Sequence, residues 1–196
     1  MPTVPESETF DAVLWRRLHQ TYARYKNGMD QVLSEHGLTM EQYLVLVTVK
    51  YSDPPMRITD VAHVLERSTN SVTMIVDRMV KAGLLRRVRD RSDRRTVNVF
   101  LTGKAENALK TANPAAWEFM QDGMSPLSHK DKDAFASLLT TLNRKLLQYL
   151  NPGADVEAMI KNDSKLEDRR LKQFRKEPWL ATSRAKRRGT KTRKTR

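Results

Sequence analysis

The 196 residues carry 36 lysines and arginines against 23 acidic side chains, a formal charge of +13, and contain no cysteine. Such a length holds one domain with a good core, or a core domain and a tail. The missing cysteines exclude disulfides, thiolate metal sites and thiol redox switches. With no long apolar run and no secretory signal pattern, the expectation is a cytoplasmic chain without a membrane partner.

Residues 8–36 place Phe10, Val13, Leu14, Leu18, Thr21, Tyr22, Tyr25, Met29, Val32 and Leu33 at helical spacing. That stripe is too long to be covered by one small neighbour, so the helix needs a partner. Residues 39–51 form the second expected helix, opened by a Thr39/Gln42 capping-box pair and ended by Pro54 and Pro55. Its nearly unbroken run Tyr43, Leu44, Val45, Leu46, Val47 and Val49 belongs in the core, behind the helices that follow.

The stretch RITDVAHVLERSTNSVTMIVDRMVKAGLLRRVRDRSDRRTVNVFLT (57–102) reads as two short helices and an arginine-studded β-hairpin. Thr59 is the expected cap of the first helix, whose apolar face is Val61, Ala62 and Leu65. The second runs from about Thr69 to Ala82, with Val72, Ile75, Val76, Met79 and Val80 on one face and Gly83 as its stop. Its other face offers Thr69, Asn70, Ser71 and, one turn on, Thr73, flanked by Ser68 and Arg78. Short polar side chains of this kind approach base edges closely in a major groove, although helix caps favour the same residue types.

Residues 84–90 and 96–101 are expected strands, the second alternating Val97, Val99 and Leu101 against Asn98 and Phe100. Over 86–95 six arginines face Asp90 and Asp93, a local charge of +4. Arg91 and Arg94 at the hairpin tip suit a narrow, electronegative minor groove. Asp90 and Asp93 are assigned to orienting the arginines by paired hydrogen bonds, with Asp77 of the preceding helix bracing Arg95. Helix, turn, helix and basic hairpin in this order describe a winged helix-turn-helix that binds double-stranded DNA.

Beyond the wing, 104–120 has a helical pattern that Pro114 should kink or break, and two hinged helices fit equally. Ser128 or His129 opens another helix to Leu150, with Phe135, Leu138, Leu139, Leu142, Leu146, Leu147 and Leu150 as a seam for a partner helix. Residues 154–176 hold Val156, Met159, Ile160, Leu166, Leu171 and Phe174 as contacts for one or two more helices, and Trp179 is an isolated apolar anchor. From 161 to 196 the charge is +11, and the last fifteen residues, TSRAKRRGTKTRKTR, carry eight basic and no acidic side chains. Those fifteen are expected to be disordered in isolation. They suit neutralisation of phosphates beyond the core footprint, or a solubilising role without one.

The run VDRMVKAGLLRRVRDRSDRRTVNVFLT (76–102) resembles the signature of MarR-type (multiple antibiotic resistance) transcription regulators, approximately DRL, a glycine and hydrophobic residue, a basic strand, D-x-x-DRR and a strand ending in LT. The resemblance extends from about residue 8 to 150. It departs after LT, where the family usually has a glycine three residues on; here Gly103 follows at once and Ala105 fills that slot. The resemblance implies a mainly α fold with a small β-hairpin wing, in which the flanking N- and C-terminal helices form a dimer interface. The expected layout is an N-terminal dimerisation helix (1–37), the winged helix-turn-helix (38–103), C-terminal dimerisation helices (104–152), extra helices (153–180) and a basic tail (181–196).

It also implies a sequence-specific homodimeric repressor on a palindromic operator, released by a small aromatic or anionic effector. Trp15, His19, Tyr22 and Tyr43 are the candidate effector-lining groups, with Arg17 or Arg24 for an anion; core or dimer packing accounts for the same aromatics. The competing reading is an architectural DNA binder of little sequence preference, driven by the tail. No nucleophile elbow, P-loop or dinucleotide fingerprint is present, and His19, His36, His63 and His129 lack metal-ligand spacing. No enzyme activity, cofactor or metal is expected.

Overall fold

The computed structural model describes residues 6–52, 55–90 and 96–181. In chain order the elements are α1 (Glu6–Ser34), α2 (Met40–Tyr51), β1 (Met56–Arg57), α3 (Ile58–Val64), α4 (Thr69–Lys81), β2 (Leu85–Arg89), β3 (Val97–Leu101), α5 (Gly103–Gly123), α6 (His129–Leu150) and α7 (Val156–Phe174).

Helix α2 lies at the centre, packed by α1, α3, α4, α5, α7 and β3. Its composition explains the position, because Val45 and Leu46 are fully buried and no face is strongly polar. Burial of each such side chain stabilises the fold by about 1.5–3 kcal/mol. The start of α2 is held twice. Thr39 Oγ1 accepts from the Gln42 N–H at 3.2 Å while Gln42 Oε1 accepts from the Thr39 N–H at 3.0 Å. Asp30, reaching over from α1, accepts from the Met40 N–H at 2.6 Å.

The C-terminal half of α1 contributes Met29 and Leu33 to the core and packs on α5. Contact there is close, since a Cβ on Gly28 would lie 2.6 Å from Phe119 Cζ. The N-terminal half instead leaves Phe10, Leu14, Trp15, Leu18 and Tyr22 exposed.

Arg57, rather than the expected Thr59, occupies the cap of α3. The carboxylate of Asp60 explains this, because it accepts the Arg57 N–H at 3.1 Å and also pairs with the Arg57 guanidinium through Nε and Nη2. Thr59 is thereby drawn into the first helical turn. The α3–α4 turn places Glu66 at φ 52°, and the Arg67 N–H donates to Ala62 O at 3.0 Å. Helix α4 then opens on Ser68, whose Oγ accepts from the Ser71 N–H at 3.2 Å. It stops at Gly83, where φ is 72° and the following Leu84 N–H returns to Met79 O at 2.9 Å.

Strands β2 and β3 form the hairpin, antiparallel with Leu85 opposite Leu101 and Arg89 opposite Val97. A third strand, β1, pairs Met56 with Val99 and Arg57 with Asn98, giving the order β1-β3-β2. Two residues are too few to show alternation, which is why the sequence does not announce this strand. The alternation expected in β3 does not separate a buried from an exposed set, since Asn98 and Val99 are both buried. Asn98 lies on the central strand, and its Nδ2 donates to Asp90 Oδ2 at 3.3 Å.

Helix α5 continues through Pro114 and is not split into two. Proline removes one backbone hydrogen bond, but Leu109, Ala112 and Ala116 are fully buried on either side and hold the helix against the core. Asn113, also buried, donates to the Tyr51 hydroxyl at 2.8 Å.

Helix α6, capped by Ser128, packs mainly on α7. Residues 154–176 yield the single helix α7, capped by Asp155. Its end is anchored by rings: Phe174 lies 5.4 Å from each of Tyr51, Trp117 and Trp179. Trp179 thus docks on the body as the sequence suggests, with Nε1 donating to Glu177 Oε2 at 3.1 Å. Glu177 in turn pairs with Lys50, which also reaches Glu106. The basic residues 182–196 and the wing tip 91–95 lie outside the described residues.

Candidate nucleic-acid interface

Helix α4 is strongly two-faced. Val72, Ile75, Val76 and Met79 are buried, which fixes the rotation of the helix on the body. Ser68, Thr69, Asn70 and Arg78 are exposed, while Ser71 and Thr73 are half-buried. Of the expected contact residues, two carry local duties. Ser68 caps the helix, and Thr73 Oγ1 donates back to Thr69 O at 2.8 Å, so its hydroxyl hydrogen is already committed.

Asn70 has an uncommitted planar amide at the second helical position, where a recognition helix meets base edges. Sequence patterning overlooked Met74. Its side chain is 64% exposed, one turn after Asn70 and one turn before Arg78 on the same face. The available signal was this spacing, together with the absence of Met74 from the apolar stripe. An exposed thioether there suits a thymine methyl.

At the base of the wing, Asp77 pairs with Arg87 of β2. The expected brace from Asp77 to Arg95 lies outside the described residues, as do Arg91, Asp93 and Arg94. Asp90, expected to orient the wing arginines, accepts from Asn98 Nδ2 while its N–H donates to Thr96 O at 2.9 Å. Arg86 is turned to the other face of the sheet, its guanidinium 4.7 Å from the Phe100 ring centroid.

The aromatic set assigned to an effector is not gathered on one wall. Tyr43 is 7% exposed within the core, whereas Trp15 and Tyr22 are 68% and 57% exposed on α1. Trp15 and His19 lie 6.3 Å apart, centroid to centroid. A cavity of about 560 Å³ opens instead between α1, α2 and α4, lined by Lys26, Asp30, Leu38, Gln42, Ile75 and Arg78 among others. Among the described residues no cluster of three or more histidines and carboxylates suits a metal ion, and no helix is long and apolar enough to cross a membrane.

The MarR family model matches residues 38–97, which run from the start of α2 to the start of β3. That segment, the winged helix-turn-helix with α2, is a MarR family domain. The chain is 27% identical over 122 residues to the HTH-type transcriptional regulator PecS of Dickeya dadantii, covering 61% of this chain and 74% of PecS. AbsC, a MarR family transcriptional regulator from Streptomyces coelicolor, superimposes with a TM-score of 0.67 at 23% identity, covering 74% of this chain and 98% of AbsC. A mutant MarR from Escherichia coli complexed with operator DNA superimposes at 0.59 with 21% identity, covering 66% and 92% of the two chains. The fold is mainly α with a small three-stranded antiparallel sheet, as in these winged-helix structures, and the matching domain is of the kind found in DNA-binding transcription regulators.

Proposed function

We propose that this regulator is a cytoplasmic, homodimeric repressor that sets two copies of α4 into successive major grooves of a palindromic operator. The wing arginines enter the flanking minor grooves, and a small-molecule effector releases the DNA. The observation that carries the reading is the row Asn70, Met74 and Arg78, open on a helix whose opposite face is locked into the core.

Dimerisation is supported by two unpartnered apolar faces. Leu14, Trp15 and Leu18 of α1 and Leu138, Leu142 and Leu146 of α6 are all at least 44% exposed. Covering such surface stabilises an assembly by roughly 25 cal/mol per Å² before association costs. Two-fold symmetry then sets half-sites about 34 Å apart.

Effector release is supported by the cavity between α1, α2 and α4, where Arg78 of the reading helix and Lys26 of α1 share one wall. A ligand there acts by favouring a dimer whose reading heads are wrongly spaced. Trp15, His19 and Tyr22 gain an enclosing wall only from the second protomer.

The test is a titration of the full chain at about 0.15 M salt against its own upstream DNA and an equal-length scrambled duplex. Strong preference for the upstream DNA, weakened by Arg94→Ala without loss of folding, is the expected result. Equal binding to both duplexes that disappears without residues 182–196 overturns it in favour of an architectural DNA binder.

A further inference from the structure

A second cleft, of about 350 Å³, lies between α7 and the β1–α3 corner and reaches Ser52 at the C-terminal end of α2, whereas the first cavity borders the N-terminal end of that helix. Its apolar lining is Pro55, Met56, Val64 and Leu166, and its polar lining includes Asp60, His63, Arg169 and Arg170. The volume falls in the range of small-molecule sites, about 300–1,000 Å³.

Arg170 is the informative residue. Its Nε donates to Ser52 Oγ at 3.1 Å, so its direct partner is a neutral hydroxyl and not a carboxylate. Burial holds its pKa below the ordinary arginine value, against the opposing pull of Glu167 and Asp163 at longer range. A guanidinium withdrawn from water without a matched anion is unfavourable, and its planar fork fits a carboxylate through two parallel hydrogen bonds. Arg169 adds positive charge to the same cleft. The nearest acid in the lining, Asp60, is already occupied by Arg57.

We propose that this cleft binds a small organic monocarboxylate, with the carboxylate on the Arg170 guanidinium and an apolar body against Met56, Val64 and Leu166. Asp60, Asp163 and Glu167 close by disfavour a dianion such as a phosphate monoester, which selects a single negative charge. The apolar lining selects a carbon body over inorganic anions. A bound molecule touches both α7 and α3, so it fastens the C-terminal helix to the helix-turn-helix. The site is separate from the cavity considered for effector release and stands or falls independently of it.

The experiment is calorimetry of the full-length protein with 2-naphthoate and its uncharged counterpart 2-naphthylmethanol. Four forms are compared: wild type, Arg170→Met, Arg170→Lys and Leu166→Trp, the last filling the cleft. The naphthoate should bind wild type at least tenfold more tightly than the alcohol. Arg170→Met and Leu166→Trp should each weaken naphthoate binding at least tenfold, with Arg170→Lys intermediate because it keeps the charge and loses the fork. Amide exchange in α3 and α7 should slow together when naphthoate is bound. Absence of binding to wild type, equal binding of acid and alcohol, or unchanged affinity in both Arg170→Met and Leu166→Trp overturns the proposal. Circular dichroism of each variant separates loss of the site from loss of the fold.

Discussion

Asn70 and Arg78 sit two turns apart on α4, and their chemistry assigns them different jobs. Asn70 carries a donor and an acceptor in one plane, the pattern that discriminates adenine; Arg78 is an exposed cation near the far end of the same face. Asn70→Ala is expected to cost about 1–3 kcal/mol on the preferred duplex and much less on others, flattening sequence preference. Arg78→Ala should weaken all duplexes alike and lower the salt-dependence slope by about one. Binding isotherms at three salt concentrations on cognate and scrambled DNA check both. A second residue-scale forecast concerns Asp30. The Met40 N–H, and then Lys26, hold its carboxyl below the usual carboxylate pKa against the opposing effect of burial. A depressed folded-state pKa contributes stability above the unfolded value of about 3.9, and that contribution is lost as pH falls through the folded value. Asp30→Asn should therefore cost about 1–3 kcal/mol in urea unfolding at pH 7. The gap from wild type should begin to close below about pH 3.9. A pH-independent gap would count against the charged cap.

At the scale of elements, what the sequence made legible was periodicity. The face of α4, the Thr39/Gln42 box of α2 and the Gly83 stop are local patterns, each written within a few residues, and the structure keeps them. What it did not make legible depends on distant partners. The cap of α3 moved to Arg57 because Asp60 grips that residue by backbone and side chain together. Strand β1 exists only because β3 offers it an edge, and Asp77 takes Arg87 because β2 runs beside α4. Gly28 belongs to the same class of hidden contact. Nothing in the α1 stripe marks it, but Phe119 of α5 lies where its side chain would be, and that ring is itself held 5.4 Å from Tyr25. Gly28→Leu should overpack the α1–α5 contact and lower stability by about 1–3 kcal/mol, read as a fall in urea midpoint with an unchanged slope. A midpoint at or above that of wild type would show that Phe119 turns aside freely.

The whole molecule separates sequence reading from charge. Residues 161–196 hold +11 of the +13, so the body that carries α4 and the wing is close to neutral overall. Affinity that depends on phosphate neutralisation must then come from the local +4 of the hairpin, from isolated cations such as Arg78, and from the last fifteen residues. Those fifteen carry eight cations and follow directly after the segment that Trp179 and Glu177 pin to α2 and α5. The pinning gives the basic segment a fixed root on the body, which raises its effective concentration at DNA held by the same molecule. A chain ending at Ala181 keeps the ring cluster and should unfold at the same temperature as the full chain. Its affinity should fall on cognate and scrambled duplexes by similar factors, with a shallower dependence on salt and an undiminished ratio between the two. A change in that ratio, with the salt slope intact, would mean that the basic segment takes part in choosing the sequence, and would move some of the reading away from α4.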